Sequence, residues 1–157
     1  MGIAIAISYI LAVLVITIGV RSYDPESQVS LNPFHEYGVI IRIFREGLES
    51  GGVSRGLRRL WIYRHAVTTV ILNILLFVPL GYLSPLSFAK INRWWQVLSI
   101  GFLFSLLIET VQLITRLGWF DASDLMHNTL GALIGYWIYY RWLTDLSGTL
   151  RNAGKTR

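Results

Sequence analysis

Residues 105–116 read SLLIETVQLITR, an apolar run broken by Glu109, Gln112 and Arg116. Their spacing of i, i+3 and i+7 places all three on one face of a helix. Shortly after, Asp121 and Asp124 precede a further apolar run that carries His127, Asn128, Gly131 and Gly135. Asp124, Asn128, Gly131 and Gly135 also share a helical face, and Asn73 adds an amide inside another apolar run. Carboxylates, amides and a guanidinium in this pattern suit binding of a polar headgroup. They also suit catalysis on one: Glu109 or Asp124 as general base, Asn73, Gln112 and Asn128 positioning substrate, Arg116 stabilising an anionic phosphate. No nucleophile–base pair accompanies them.

Structural roles compete with these. Asp121 or Asp124 can cap the helix that follows, where its macrodipole favours negative charge. Asn73 and Asn128 can act as interhelical hydrogen-bond glue, and Glu109 with Arg116 can form a structural ion pair. Glu109, Asp121, Asp124 and His127 together lack any recognisable ligand spacing for a hard divalent cation, so neither a metal nor a cofactor is expected. His127 reads as a structural or lipid-interface histidine.

Positioning these groups falls to four apolar stretches, 3–20, 66–88, 95–114 and 125–143. Each approaches the ~20 helical residues that cross a hydrocarbon core. Of 157 residues, 54% are hydrophobic and 15% charged, whereas soluble domains carry about 25% charged residues. Mean hydropathy is +0.52. The expected fold is all-α: a polytopic membrane bundle of four transmembrane helices, with residues 1–145 as a single membrane domain and 146–157 as a polar tail. The first stretch has no basic residue before it and no A-x-A-like site after it, so it reads as a retained span or signal anchor. There is no cysteine, which excludes disulfides and thiolate metal sites. The net charge of +5 is mostly arginine flanking apolar runs, which suggests anionic lipid headgroups as partners and no nucleic acid.

The one long connection, between the first two stretches, contains EYGVIIRIFREGLE. Arg42, Arg45, Glu46 and Glu49 fall on one helical face, with Ile40, Ile41, Phe44 and Leu48 opposite. This predicts an amphipathic interfacial helix, ended by SGG. VSRGLRRLWIYRH then reads as a basic, aromatic lead-in to the second span, with Trp61 and Tyr63 as interface residues. Arginines and lysines near the span ends are equally divided between the two sides, so charge does not orient the chain. Four spans place Asn73, Glu109, Gln112, Arg116, Asp121, Asp124 and Asn128 toward one membrane face. Gly131 and Gly135 form a small-xxx-small pair that lets this helix approach a neighbour closely. The third span is the expected neighbour, which would bring Asp124 and Asn128 near Glu109 and Arg116. Pro79 followed by Gly81 marks a kink in the second span.

With these residues in view, the chain resembles the VanZ-like family of bacterial membrane proteins. The likeness rests on Asn73, Phe77, Pro79 and Gly81; then Glu109 and Gln112; then Arg116, Phe120, Asp121 and Asp124; then Asn128, Gly131 and Gly135. It covers about residues 66–140 strongly and the first span weakly. In one departure, SLNPF at 30–34 places Ser30 where the family often has Asn. The resemblance implies a multi-pass protein of the bacterial plasma membrane, linked to cell-envelope processes and to resistance to the glycopeptide teicoplanin. Its expected partners are the bilayer and a lipid-linked cell-wall precursor or lipoglycopeptide, bound or shielded by the polar cluster. The alternative is an enzyme acting on a lipid or polyprenyl-phosphate headgroup. An outward-facing site, as the antibiotic link implies, places both termini in the cytoplasm.

Overall fold

The computed structural model describes residues 2–19, 23–26, 28–62 and 64–155; Val20 and Tyr63, named above, lie outside them. The chain is all-α apart from one short ladder. In order it forms α1 (Gly2–Leu14), a π-helical turn (Val15–Gly19), β1 (Val29–Ser30), α2 (His35–Gly51) and α3 (Val53–Ile62). These are followed by α4 (Arg64–Ser87), α5 (Trp94–Thr115), β2 (Phe120–Asp121) and α6 (Ala122–Lys155).

Among the described residues three helical segments are long and apolar enough to cross a membrane: Gly2–Gly19, Val67–Ser87 and Trp94–Thr115. They coincide with the first three expected stretches. The fourth, 125–143, lies inside α6, which is not one of the three. His127, Asn128 and Thr129 put three polar side chains in a single turn, and the tyrosines and tryptophans beyond add area with little hydropathy. The helix also continues to Lys155, through most of the polar tail expected at 146–157.

The helices alternate in direction. Ser87 Oγ donates to Gly2 O at 3.1 Å, and the Tyr9 hydroxyl donates to Leu76 O, so α1 runs antiparallel to α4. α6 runs parallel to α4 in closer contact than any other pair. A Cβ on Gly131 would lie 2.2 Å from Ile74 O, and one on Gly135 would lie 1.9 Å from Val78 O. Gly81 meets the backbone of Ala132 equally closely. The small-xxx-small pair therefore presses on the second span, not on the third, the expected neighbour. A pattern of small residues licenses a close approach without naming the neighbour. α5 packs antiparallel to α6 on an adjacent face, where Gly101 admits the Ala132 methyl. α4 is a single helix through both Pro79 and Pro85. Phe77, Ile108, Leu80 and Val13 form the apolar core where α1, α4 and α5 meet.

α2 carries the predicted amphipathic stretch. Gly52, at φ +84°, ends it and reverses the chain. The basic, aromatic segment that follows is a helix, α3, folded back on α2. Gly47 and Gly56 meet at the crossing, and Arg59 pairs with Glu46 at 3.0 Å across it.

Candidate functional site

Directions and register together bring one end of every long helix to the same level: the end of α1, the first half of α4, the last turns of α5 and the start of α6. The polar residues singled out by the sequence collect at that end. Glu109 lies six residues before the end of α5, about 9 Å along the axis, and is 1% exposed. Its Oε2 accepts a hydrogen bond from the Asp121 backbone N–H at 2.9 Å. Asp121 sits just before α6, and its Oδ1 accepts from the Ser123 N–H at 2.9 Å. That is an N-cap, satisfying one of the orphan donors of the first turn. Of the two capping candidates, Asp121 takes this bond, while Asp124 Oδ1 accepts from Asn73 Nδ2 across the α4–α6 contact.

Gln112 is buried, and its Nε2 donates to Thr17 O at 2.8 Å. Thr17 lies in the π-helical turn, which ties the end of α1 to the end of α5. Asn128 is buried as well, and its Nδ2 donates to Ser105 Oγ at 2.8 Å. It lies about 40° around α6 from Asp124, enough for the two to reach different neighbours, α5 and α4. Ser105, Glu109 and Gln112, at i, i+4 and i+7, make a continuous buried polar stripe on α5. Two acceptors in this interior, Gln112 Oε1 and Asn128 Oδ1, have no hydrogen-bond partner among the described residues.

Arg116 is placed differently from its expected role. It ends α5 in the left-handed region at φ 57°, so the helical face bearing Glu109 and Gln112 does not continue through it. Its side chain is exposed and donates to the Tyr23 hydroxyl at 3.2 Å. Among the described residues the ion pairs are Arg45–Glu49 and Arg59–Glu46; the expected Glu109–Arg116 pair is not formed.

Several of the site's contacts were not foreseen from the sequence. His127 is fully buried, with Nε2 3.0 Å from the Tyr37 hydroxyl and its ring tilted against the Tyr37 ring. This contact brings α2 onto the site, and nothing local in either residue signals it. Ser105 could have been found from its spacing to Glu109 and Gln112. Residues 23–26 and 28–30 are stitched along the site's edge. Val29 and Ser30 pair in parallel with Phe120 and Asp121. Asp24 N donates to Arg116 O at 2.7 Å, and Trp119 Nε1 donates to Asp24 Oδ2 at 2.8 Å. The Trp119 indole N–H, then the Glu26 backbone N–H, hold the Asp24 carboxyl below its ordinary pKa. Ser30, the departure from the resembled pattern, thus stands opposite Asp121. Among the described residues no group of three or more His, Asp or Glu side chains is arranged to hold a metal ion.

The family described as VanZ/LLP1 matches residues 6–144, nearly the whole chain, and the chain belongs to it. No curated protein and no solved structure matches. Membership in this family and the three apolar helices fit a membrane protein.

Proposed function

We propose that this VanZ/LLP1 family member is a four-span protein of the bacterial plasma membrane, with both termini cytoplasmic. Its polar cluster binds or shields a lipid-linked envelope component or a lipoglycopeptide, and so contributes to teicoplanin resistance. The observation that carries this reading is the buried, anchored Glu109 among Asn73, Gln112, Asp124 and Asn128, at one end of an otherwise apolar bundle. Ionisable groups inside a membrane are functional candidates by default. The α6 helix counts as the fourth span because it lies along α4 with backbone-to-glycine contacts at Gly131 and Gly135. The α2–α3 hairpin suits the interface. Val53, Leu57 and Trp61 form an exposed apolar stripe on α3, and Arg55, Arg58 and Arg59 reach headgroup level.

The enzymatic alternative assigned Arg116 to a phosphate. With that guanidinium on Tyr23 at the exposed loop, binding is the better-supported reading. Teicoplanin susceptibility tests it, in a host lacking the protein and expressing wild type or Glu109→Gln at matched membrane abundance. Wild type should protect and the variant should not; equal protection by both would remove the cluster from the function. A C-terminal reporter active only outside the cytoplasm would overturn the orientation.

A further inference from the structure

α2 and α3 cross where Gly47 meets Gly56, so closely that a Cβ on Gly47 would fall on the Gly56 backbone. This contact fixes which way the rest of the hairpin faces. Counting about 100° per residue from Gly47, Ile41 and Leu48 lie about 100–120° round α2. Counted from Gly56 in the same sense, Val53, Leu57 and Trp61 lie about 60–140° round α3. The two helices run in opposite directions, so equal turns in one sense lead to the same side of the pair. All five of these apolar side chains are exposed. The hairpin therefore has one continuous apolar side, drawn from both helices. The Arg59–Glu46 pair bridges the helices on the other side, as the same count requires.

The charge on the remaining surface has one sign in excess. α3 carries Arg55, Arg58 and Arg59 and no acidic residue. Glu49 pairs with Arg45 and Glu46 with Arg59. Among the described residues this leaves Arg42, Arg55, Arg58 and Arg64 without a carboxylate. Arg42 and Arg58 lie about 200–220° round their helices, on the outer flanks next to the apolar side. Long arginine stems cross such a step and keep the charge at headgroup level. Arg64 lies over the Trp61 ring, 5.4 Å from its centre, at the end of the apolar stripe. Arg55 is turned to the opposite side and donates to Ser50 O.

An apolar side alone would seat in any bilayer. Guanidiniums along its edges add a choice of lipid, because their planar fork of donors matches a phosphate. A zwitterionic lipid brings a cationic group with each phosphate, and an anionic lipid does not. Each arginine close to an anionic surface strengthens association about fivefold.

We infer that the α2–α3 hairpin is a binding surface for anionic phospholipid. Ile41, Leu48, Val53, Leu57 and Trp61 enter the acyl region, and Arg42, Arg58 and Arg64 hold phosphates around them. The surface uses none of the polar cluster's residues and does not depend on what that cluster binds.

Site-specific quenching in nanodiscs tests this on the whole protein. The chain has no cysteine, so a single bimane on Ser54→Cys, exposed one turn before Arg58, reports on the lipid beside α3. The discs are phosphatidylcholine with a small share of lipid brominated in its chains, either phosphatidylglycerol or phosphatidylcholine. The brominated phosphatidylglycerol should reach half-maximal quenching at a mole fraction about fivefold lower, the effect of the one arginine beside the label. Arg58→Gln should abolish that preference, and Arg55→Gln should leave it. A label on Leu103→Cys, exposed on α5, should not distinguish the two lipids. Equal quenching by both lipids at Ser54, the same preference at Leu103, or a preference unmoved by Arg58→Gln would each overturn the inference. A label at Ser54 quenched by neither lipid would also overturn it, and would assign the apolar side to a partner protein or a second copy of the chain.

Discussion

Glu109 and Asp121 are joined through one backbone hydrogen bond: the Asp121 N–H donates to Glu109 Oε2 at 2.9 Å. A carboxylate inside α5 thus sets the position of the residue that caps α6. Both ends of this relay are local, yet it fixes how two helices meet. Glu109→Gln keeps an acceptor at this place, whereas Glu109→Ala strands the Asp121 N–H. The alanine variant should be the less stable by about 1–3 kcal/mol, the range for a buried donor left unsatisfied. Unfolding in detergent measures the difference, and identical losses would show that the bond contributes nothing.

The α4–α6 contact allows no side chain at Gly131 or Gly135, where an added methyl carbon would lie about 2 Å from a carbonyl oxygen of α4. Gly131→Ala and Gly135→Ala should each destabilise by about 1–3 kcal/mol through overpacking. Gly38→Ala is the internal comparison, since a Cβ there meets nothing within 4 Å. It should be neutral or stabilising by up to about 1 kcal/mol because alanine favours the helix. A melting temperature for Gly131→Ala above that of Gly38→Ala would contradict the packing described.

Arg116 separates fold from function. Its φ of 57° is strained for a side-chain-bearing residue, and its bond to Tyr23 is solvent-exposed. Arg116→Gly should therefore raise stability by about 1 kcal/mol, the scale of the left-handed penalty. Denaturant unfolding would detect it. A clear loss instead would mean that the Tyr23 contact outweighs the backbone strain.

Asp24 gives the loop at the site's edge a pH dependence of known sign. Its carboxyl is held below the ordinary value of 3.8 first by the Trp119 indole N–H and then by the Glu26 N–H. A depressed native pKa means that the native state holds the anion more firmly than the unfolded chain does. Its contribution is complete above the ordinary value and is lost as pH falls through the lower native one. Exchange protection of the Trp119 indole proton should thus drop on acidification below the ordinary carboxyl value of 3.8, and Asp24→Asn should flatten the profile. A profile unchanged by that substitution would assign the transition to another group.

Much of this arrangement was legible because two periodicities are strong. Apolar runs marked α1, α4 and α5, and the polar positions 73, 109, 112, 121, 124 and 128 fell at one level once alternating direction was assumed. What escaped has physical causes. The close approach at Gly131 and Gly135 names no partner, since α4 and α5 both offer apolar surface. The pairing expected of Glu109 and Arg116 presumed an unbroken helix, but Arg116 adopts the left-handed turn that ends it. The α3 helix was hidden because its arginines and tryptophan read equally well as a membrane border. Tyr37 with His127, and Val29–Ser30 with Phe120–Asp121, are contacts between distant segments that no local spacing encodes.

The partners of the site lie between Phe120 and Asn128, after α1, α4 and α5 in the chain. Asn73 needs Asp124, Ser105 needs Asn128, and β1 needs β2. A nascent chain that has made α1, α4 and α5 but not residues 120–128 leaves Asn73, Ser105 and β1 without these partners. β2 and the first turns of α6 supply all three partners between Phe120 and Asn128. The same residues that form the site therefore mark an unfinished molecule, because each finds its partner only once residues 120–128 are in place.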